Sequence, residues 1–320
     1  MRKIGVVTAG GDAPGMNAAI RSVVRTAIYR GLEVVGFERG YAGLIQGKTR
    51  PMGPRSVSGI INLGGTVLRT TRCQEMKTPE GVEKAGEVLK SNGIDGLVVI
   101  GGDGTVRGAS ELHGVSGIAV MGIPATIDND VSGTDTTIGF DTAVNTALSA
   151  IDKIRDTATS HERVFVVEVM GRERGFLALE VGFAGGAEVI IVPEIEHDLD
   201  KICGRLRSDR KEGKSSEIIV MAEGAGDSRK AVDYLATKTG YEVRLTGLGY
   251  IQRGGAPTAR SRALACEFGS HAVELLLRGE KKRMVGIREG KIGSVDLDYA
   301  WKQRKELDLD RYKLAEILSL

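Results

Sequence analysis

Six short apolar runs rich in valine and isoleucine punctuate the chain: Ile4–Ala9, Gly96–Ile100, Ile118–Ile123, Val164–Val169, Val189–Val192 and Ile218–Ala222. Few polar residues interrupt them, which is the pattern of strands covered on both faces of a parallel sheet. Between the runs the period changes. Residues 17–30 place Ile20, Val23, Val24, Ala27 and Ile28 on one helical face, and Val144, Ala147, Leu148, Ile151 and Ile154 do the same further on. Strands alternating with one-sided helices predict a layered α/β fold.

The loops behind these strands are unusually rich in glycine and charge. GGDAPGMN follows Ala9, GGDGT follows Ile100, PATIDND follows Ile123, MGRERG follows Val169, PEIE follows Val192 and EGAGD follows Ala222. Open α/β sheets bind ligands beyond the carboxyl ends of their strands, so these loops are where a site is expected. The 45 glycines among 320 residues, with only 7 prolines and no G-X-Y period, therefore read as local backbone devices and not as collagen or low complexity.

The other totals narrow the function. With 44 basic and 42 acidic residues the net charge is +2, and aromatics are 4%, so a nucleic-acid binder is disfavoured while small phosphorylated ligands stay open. Cys73, Cys203 and Cys266 are far apart and without C-x-x-C, which argues against a disulfide framework and fits a reducing cytoplasm. The four histidines show no metal-ligand spacing. No apolar run approaches the roughly 20 residues of a membrane span. The apolar stretch after Met1-Arg2-Lys3 is too short for a signal peptide and breaks at Gly10-Gly11-Asp12. The length predicts two domains, although no compositional linker marks them.

Each loop has a bland reading beside its chemical one. Residues 10–21, GGDAPGMNAAIR, form either an anion site at a helix start or an ordinary strand-to-helix turn. GGDGT offers the open amides of Gly101, Gly102 and Gly104, the carboxylate of Asp103 for a Mg2+ on nucleotide phosphates, and the hydroxyl of Thr105 as a further donor. NAD kinases and lipid kinases also carry GGDGT, so alone it marks a nucleotide site and no acceptor. PATIDND sets Asp128 and Asp130 two apart in a loop, where one acid can take a proton while the other supports metal or water. An isolated Asp-Asn-Asp is more often a solvated turn; its place at a third strand end reverses that weighting. Arg172 and Arg253 lie beside glycines, and Arg163 and Arg244 are further forks for phosphate oxygens, though any one of them equally fits a surface ion pair. Glu223 suits a sugar hydroxyl or solvent, Arg21 and Arg25 share a polar helix face, and Cys73 reads as structural.

Taken together, the blocks GGDAPGMNAAIR, GGTVLRTTR (64–72), IGGDGT, PATIDND, TIGFDTA (137–143), VVEVMGR, AGGAE (184–188) and LGYIQRGG (248–255) resemble, in order, those of the bacterial phosphofructokinases. The likeness covers nearly the whole chain and weakens after about Gly290. It implies two Rossmann-like three-layer α/β/α domains with mainly parallel sheets and the active site in the cleft between them. The domains expected are 1–138 with 253–305 for ATP and Mg2+, and 139–252 with 306–320 for the sugar phosphate. The implied reaction moves the γ-phosphoryl group of ATP to the 1-hydroxyl of fructose 6-phosphate. By resemblance Asp128 is the general base, Thr126 and Arg172 stabilise the transferred group, Asp103 holds the metal, and Asp130 stands nearby. Gly11, Arg72, Cys73 and Gly102 to Thr105 match the nucleotide site. Thr126, Ile127, Asp128, Arg163, Met170, Gly171, Arg172, Glu223, Arg244, Tyr250 and Arg253 match the sugar-phosphate site. Arg163 and Arg244 reach across a subunit interface in that family, which implies a homotetramer. Arg21, Arg25, Arg155, Glu188 and Lys214 match an effector cleft for ADP or phosphoenolpyruvate.

Three departures shape the expectations. Pyrophosphate-using members carry Asp where this chain has Gly104 and Lys where it has Ala125, so ATP is the expected donor, although VLRTTR resembles the branch that includes pyrophosphate enzymes. Tyr250 stands where well-known members have a sugar-phosphate-binding His, shifting weight to Arg163, Arg244 and Arg253. Glu212 and Pro54 replace basic effector residues, which weakens an anion cleft. A pyrophosphate-dependent enzyme and a non-catalytic nucleotide and sugar-phosphate sensor are the alternatives.

Overall fold

The structure, a computed structural model, describes residues 1–319. Its strands are β1 (Lys3–Thr8), β2 (Glu33–Phe37), β3 (Thr49–Pro51), β4 (Gly96–Gly101), β5 (Ala119–Thr126), β6 (Ile138–Gly139), β7 (Val164–Val169), β8 (Val189–Ile191), β9 (Glu217–Ala222), β10 (Val243–Gly247), β11 (Lys282–Arg288) and β12 (Lys291–Asp296). The chain forms two compact units, Met1–Thr142 with Arg253–Lys305, and Ala143–Gln252 with Glu306–Leu320.

The first unit is built on one sheet in the order β12-β11-β5-β4-β1-β2-β3, with the short β6 also paired to β5. Its centre is parallel, and only the rims, β2 with β3 and β11 with β12, are antiparallel. Val7, Leu97 and Val99 pack with Leu89, Val106 and Leu112 from the helices Pro79–Ser91 and Asp103–Ser116. Alternate residues of a strand point to opposite faces, so Val6 and Val98 look the other way. That side is covered by the paired helices Met16–Tyr29 and Ala259–Leu277, giving three layers. Ile20, Val23, Val24 and Ala27 are buried on the predicted face of the first of these helices.

The second unit holds a parallel sheet in the order β10-β7-β9-β8. Val164, Val166, Ile219 and Met221 pack with Ile202, Leu206 and Leu235. All six predicted strands are present, but the third extends further than its apolar run. Thr126 belongs to β5, because Ala125 and Thr126 pair with Ile138 and Gly139 of β6. Residues 124–126, expected in a loop, are therefore strand, and the loop proper begins at Ile127. Of the strands the periodicity missed, β3, β6, β10, β11 and β12 are short or mixed in polarity, and in β10 only Val243 is buried. β2 is apolar and buried from Val34 to Phe37 but was not singled out.

Glu217 opens β9 and is fully buried, with neither carboxylate oxygen hydrogen-bonded among the described residues. Burial pushes its carboxyl from 4.5 up to about 7; Arg210 opposes the shift, and Glu188 and Asp209 add to it. The unfolded chain releases this proton from about pH 4.5 upward while the folded chain keeps it to about 7, so the group lowers stability across that window and fully above it. Glu217→Gln is expected to improve the thermal midpoint by about 3 °C more near pH 8 than near pH 4. Scanning calorimetry of both proteins at both pH values checks this, and an equal effect at the two would contradict it.

Candidate active site

Three loops meet at the carboxyl ends of β1, β4 and β5. Thr105 ties the first two together: its buried hydroxyl donates to the Ala9 carbonyl at 2.9 Å, while its own carbonyl accepts from the Tyr41 hydroxyl at 2.6 Å. The Thr105 hydroxyl, expected to face a ligand, is committed to the backbone, so its part in a nucleotide site is to hold the loops. Gly101 is required here, because a Cβ would sit against the same Ala9 carbonyl oxygen. Gly104 is the opposite case: its φ is ordinary and nothing lies within 4 Å of a Cβ built there. The helix Asp103–Ser116 starts at this point with Gly102 as its N-cap and no side-chain cap, and Asp103 and Gly104 are exposed. The helix Met16–Tyr29 likewise starts at a glycine, Gly15, without a side-chain cap. Uncapped amides at two helix starts suit an anion.

Segment 63–72 is laid beside these loops by residues the sequence did not single out. Asn17 donates to the carbonyls of Leu63 and Gly64 at 3.1 and 3.0 Å and accepts from the Val67 amide at 2.7 Å. Thr8 bonds Thr66 and the Arg69 carbonyl, and Thr70 donates to the Gly10 carbonyl at 2.8 Å. Arg72 is left exposed two residues beyond Thr70, and Cys73 is partly buried against the core. Arg253, matched to the sugar-phosphate set, stands in the first unit beside Gly11, its Nη1 donating to the Asp12 carbonyl at 3.2 Å. Asp103 holds no metal cluster with other residues: no group of three or more His, Cys, Asp or Glu side chains that could bind an ion occurs among the described residues. One exposed carboxylate beside uncapped amides fits Mg2+, which takes most of its ligands from phosphates and water.

The end of β5 and the loop after it present Thr126, Ile127 and Asp128, all buried, with Asp128 only 1% exposed and Asp130 at the margin. The Asp128 amide donates to Thr126 Oγ1 at 3.2 Å. Asn129 then takes a left-handed φ of 53°, which Asn tolerates better than most side chains. Its Oδ1 accepts from the Thr137 amide at 3.1 Å, its Nδ2 donates to the Asp135 carbonyl at 3.2 Å, and the Thr137 hydroxyl closes on the Thr126 carbonyl at 2.7 Å. The middle residue of Asp-Asn-Asp is thus the one that fixes the turn.

In the second unit the end of β7 carries Met170, Gly171 and Arg172. Glu223, at the end of the neighbouring β9, accepts from the amides of Gly171 and Arg172 at 3.2 and 2.7 Å and holds Arg172 at a left-handed φ of 53°. Gly224 allows this approach, since a Cβ there would meet the Arg172 carbonyl. One oxygen of Glu223 is therefore a scaffold for the arginine loop. Gln252 is buried and accepts from the Met170 amide at 3.0 Å, while Tyr250 is 82% exposed. Glu242, absent from the sequence reading, clamps Arg163 at 2.9 Å and also Arg244, which lowers its own carboxyl through those two bonds.

The effector candidates divide between the units. Arg155, Glu188 and Lys214 form one network in the second: the buried Glu188 meets both cations at 3.4 Å and accepts from the Ile218 amide at 2.6 Å. Arg155 also donates to the carbonyls of Gly185 and Gly186, so this glycine pair offers acceptors to an arginine. Arg21 and Arg25 lie in the first unit, on the helix Met16–Tyr29.

Two hydrogen bonds of Asn129 hold the β5 loop at about 1 kcal/mol each. Asn129→Ala is expected to lower the unfolding free energy by about 2 kcal/mol in a denaturant titration, and a change below about 0.5 kcal/mol would contradict the clamp.

The sequence comparisons bear on what these loops belong to. The profile of the phosphofructokinase family matches residues 3–276. Two curated relatives named ATP-dependent 6-phosphofructokinase, from Halothermothrix orenii and Clostridium botulinum strain Hall, are each 54% identical to the chain, over 332 and 319 aligned residues that cover 100% of both partners. Among solved structures, phosphofructokinase from Saccharomyces cerevisiae superposes with a TM-score of 0.86 at 36% identity, over 99% of this chain and 46% of that one, so this chain spans under half of the yeast chain. A pyrophosphate-dependent phosphofructokinase from Marinobacter aquaeolei superposes with a TM-score of 0.84 at 25% identity, over 97% of this chain and 86% of that one. With glycine loops at the ends of β1 and β4, a buried aspartate at the end of β5 and a match running almost from end to end, the chain belongs to the phosphofructokinase family.

Proposed function

We propose that the protein is an ATP-dependent 6-phosphofructokinase, transferring the γ-phosphoryl group of ATP to the 1-hydroxyl of fructose 6-phosphate. The observation that carries this reading is the end-to-end 54% identity to proteins of that name. The loops supply a mechanism in keeping with it. Phosphoryl transfer asks mainly for positioning and neutralisation of charge. Gly11, Arg72, Cys73 and Gly102 to Thr105 form the nucleotide set, with amides at the helix starts facing phosphate oxygens. Asp103 would hold Mg2+, which neutralises phosphate charge when bound. Asp128 takes the proton of the attacking hydroxyl, on a loop fixed by Asn129 and Thr137. Thr126 and Arg172 stabilise the transferred group, and Asp130, the second acid of the pair, supports metal or water near Asp103. Ile127, Met170, Gly171, Glu223, Arg163, Arg244, Tyr250 and Arg253 complete the sugar-phosphate set.

ATP is favoured as donor by the space at Gly104. A Cβ there would meet no protein atom within 4 Å, so an Asp fits the backbone and would act on the nucleotide, by crowding and like charge at the α-phosphate. We also propose a cytoplasmic homotetramer, with Arg163 and Arg244 completing a neighbour's site, and an ADP or phosphoenolpyruvate effector at Arg21, Arg25, Arg155, Glu188 and Lys214. No helix among the described residues is long and apolar enough to cross a membrane.

A coupled assay for fructose 1,6-bisphosphate, run with ATP and pyrophosphate in parallel, tests the donor. Strong turnover with ATP and none with pyrophosphate is expected; the reverse would establish the pyrophosphate-dependent reading, and silence with both would leave the sensor. Gly104→Asp is expected to reduce kcat/KM for ATP at least about a hundredfold, the scale of about 3 kcal/mol of lost transition-state binding, while the thermal midpoint stays unchanged.

A further inference from the structure

The loop carrying Asp128 and Asp130 is braced by residues 286–305, beyond the stretch 3–276 that matches the family profile. The Asp135 amide donates to the Ile287 carbonyl at 2.8 Å, and the Ile287 amide donates to Thr134 Oγ1 at 3.1 Å. The Glu289 amide donates to the Asp135 carboxylate at 2.8 Å. Ser132 Oγ donates to the Gln303 carbonyl at 2.8 Å. Gly286 lets the strand β11 lie against the Gly133 carbonyl, where a Cβ would collide.

Lys305 ends this brace. Its Nζ donates to the Asp135 carbonyl at 3.0 Å, the same oxygen that accepts from Asn129 Nδ2 at 3.2 Å. Two donors therefore converge on one carbonyl, one from the catalytic turn and one from a segment about 170 residues later in the chain. Burial pushes the ammonium down to about 8, and the charges of Asp135 and Asp130 act the other way, so at neutral pH the lysine is mostly a cation facing two carboxylates. A lysine suits the place because its ammonium offers three donors from one compact charge.

We propose that Lys305 is a positioning residue for phosphoryl transfer, fixing the loop that presents Asp128 through the Asp135 carbonyl it shares with Asn129 and through its charge beside Asp130. The role rests on the phosphofructokinase reading, in which that loop carries the base. Lys305 acts on loop geometry and charge and leaves substrate contacts to other residues, so its loss should lower kcat and spare both KM values.

The test compares wild type, Lys305→Met and Lys305→Arg by steady-state kinetics with ATP and fructose 6-phosphate, and by amide hydrogen exchange of residues 127–137. Lys305→Met is expected to lose about thirtyfold in kcat, as loop misplacement does, with both KM values within about twofold of wild type. Exchange in 127–137 should quicken by about tenfold, and Lys305→Arg should restore both readouts in large part. Unchanged exchange, or a kcat within about twofold of wild type, would overturn the role. So would a global loss of stability shared equally by Lys305→Met and Lys305→Arg, which marks a merely structural side chain. A wild-type protein inactive with either donor would instead sink the phosphofructokinase reading, and the exchange comparison would still report whether Lys305 holds the loop.

Discussion

The bond from the Thr105 hydroxyl to the Ala9 carbonyl, together with the missing side chain of Gly101, sets the geometry on which the nucleotide loops depend. Parallel strands end in carbonyls and amides that have no further ladder partner. At the ends of β1 and β4 one of those carbonyls is satisfied by Thr105, and the close approach this needs is open only to glycine. The loops 9–15 and 101–105 are thereby held side by side, and neither helix start behind them is capped by a side chain. Asn17, Thr8 and Thr70 extend the same device to segment 63–72, which brings Arg72 to the same sheet edge.

The two units solve a common problem in related ways. Each must hold one reactive side chain on a loop without giving up the polar groups that chemistry needs. In the first, Asn129 accepts a left-handed backbone and its amide closes the turn behind Asp128. In the second, Arg172 itself is left-handed, and Glu223 pins the two amides before its side chain. A few hydrogen bonds of about 1 kcal/mol each are enough, because the strands beneath are already rigid. Scaffolding thus falls to Thr105 and Glu223, both expected to contact ligands, and to Gln252.

The central strands were legible because burial on both faces leaves an unbroken apolar run, as in Val164–Val169 and Ile218–Ala222. The rims were not: β3, β10 and β12 are half exposed, so nothing in their pattern separates them from loop. The loops that carry chemistry were legible from their position after each run, and Asp128, Asp103 and Arg172 from the block resemblance. Asn17, Thr137, Glu242 and Lys305 were invisible for one physical reason. Each acts through a tertiary contact with a backbone group or charge elsewhere, and a single Asn, Thr, Glu or Lys at the surface of a sequence has no pattern that announces such a partner. Asn129 was within reach, since an Asn between two acids after a strand is a natural left-handed turn residue.

Phosphoryl transfer here turns on Asp128 as the proton acceptor of a pre-formed loop. Its most direct test is Asp128→Asn, with binding of fructose 6-phosphate and of a non-hydrolysable ATP analogue measured by calorimetry beside turnover. The account predicts both dissociation constants within about threefold of wild type and turnover lower by about a hundredfold or more, the contribution of a positioned general base. Turnover within about twofold of wild type, with binding intact, would contradict it.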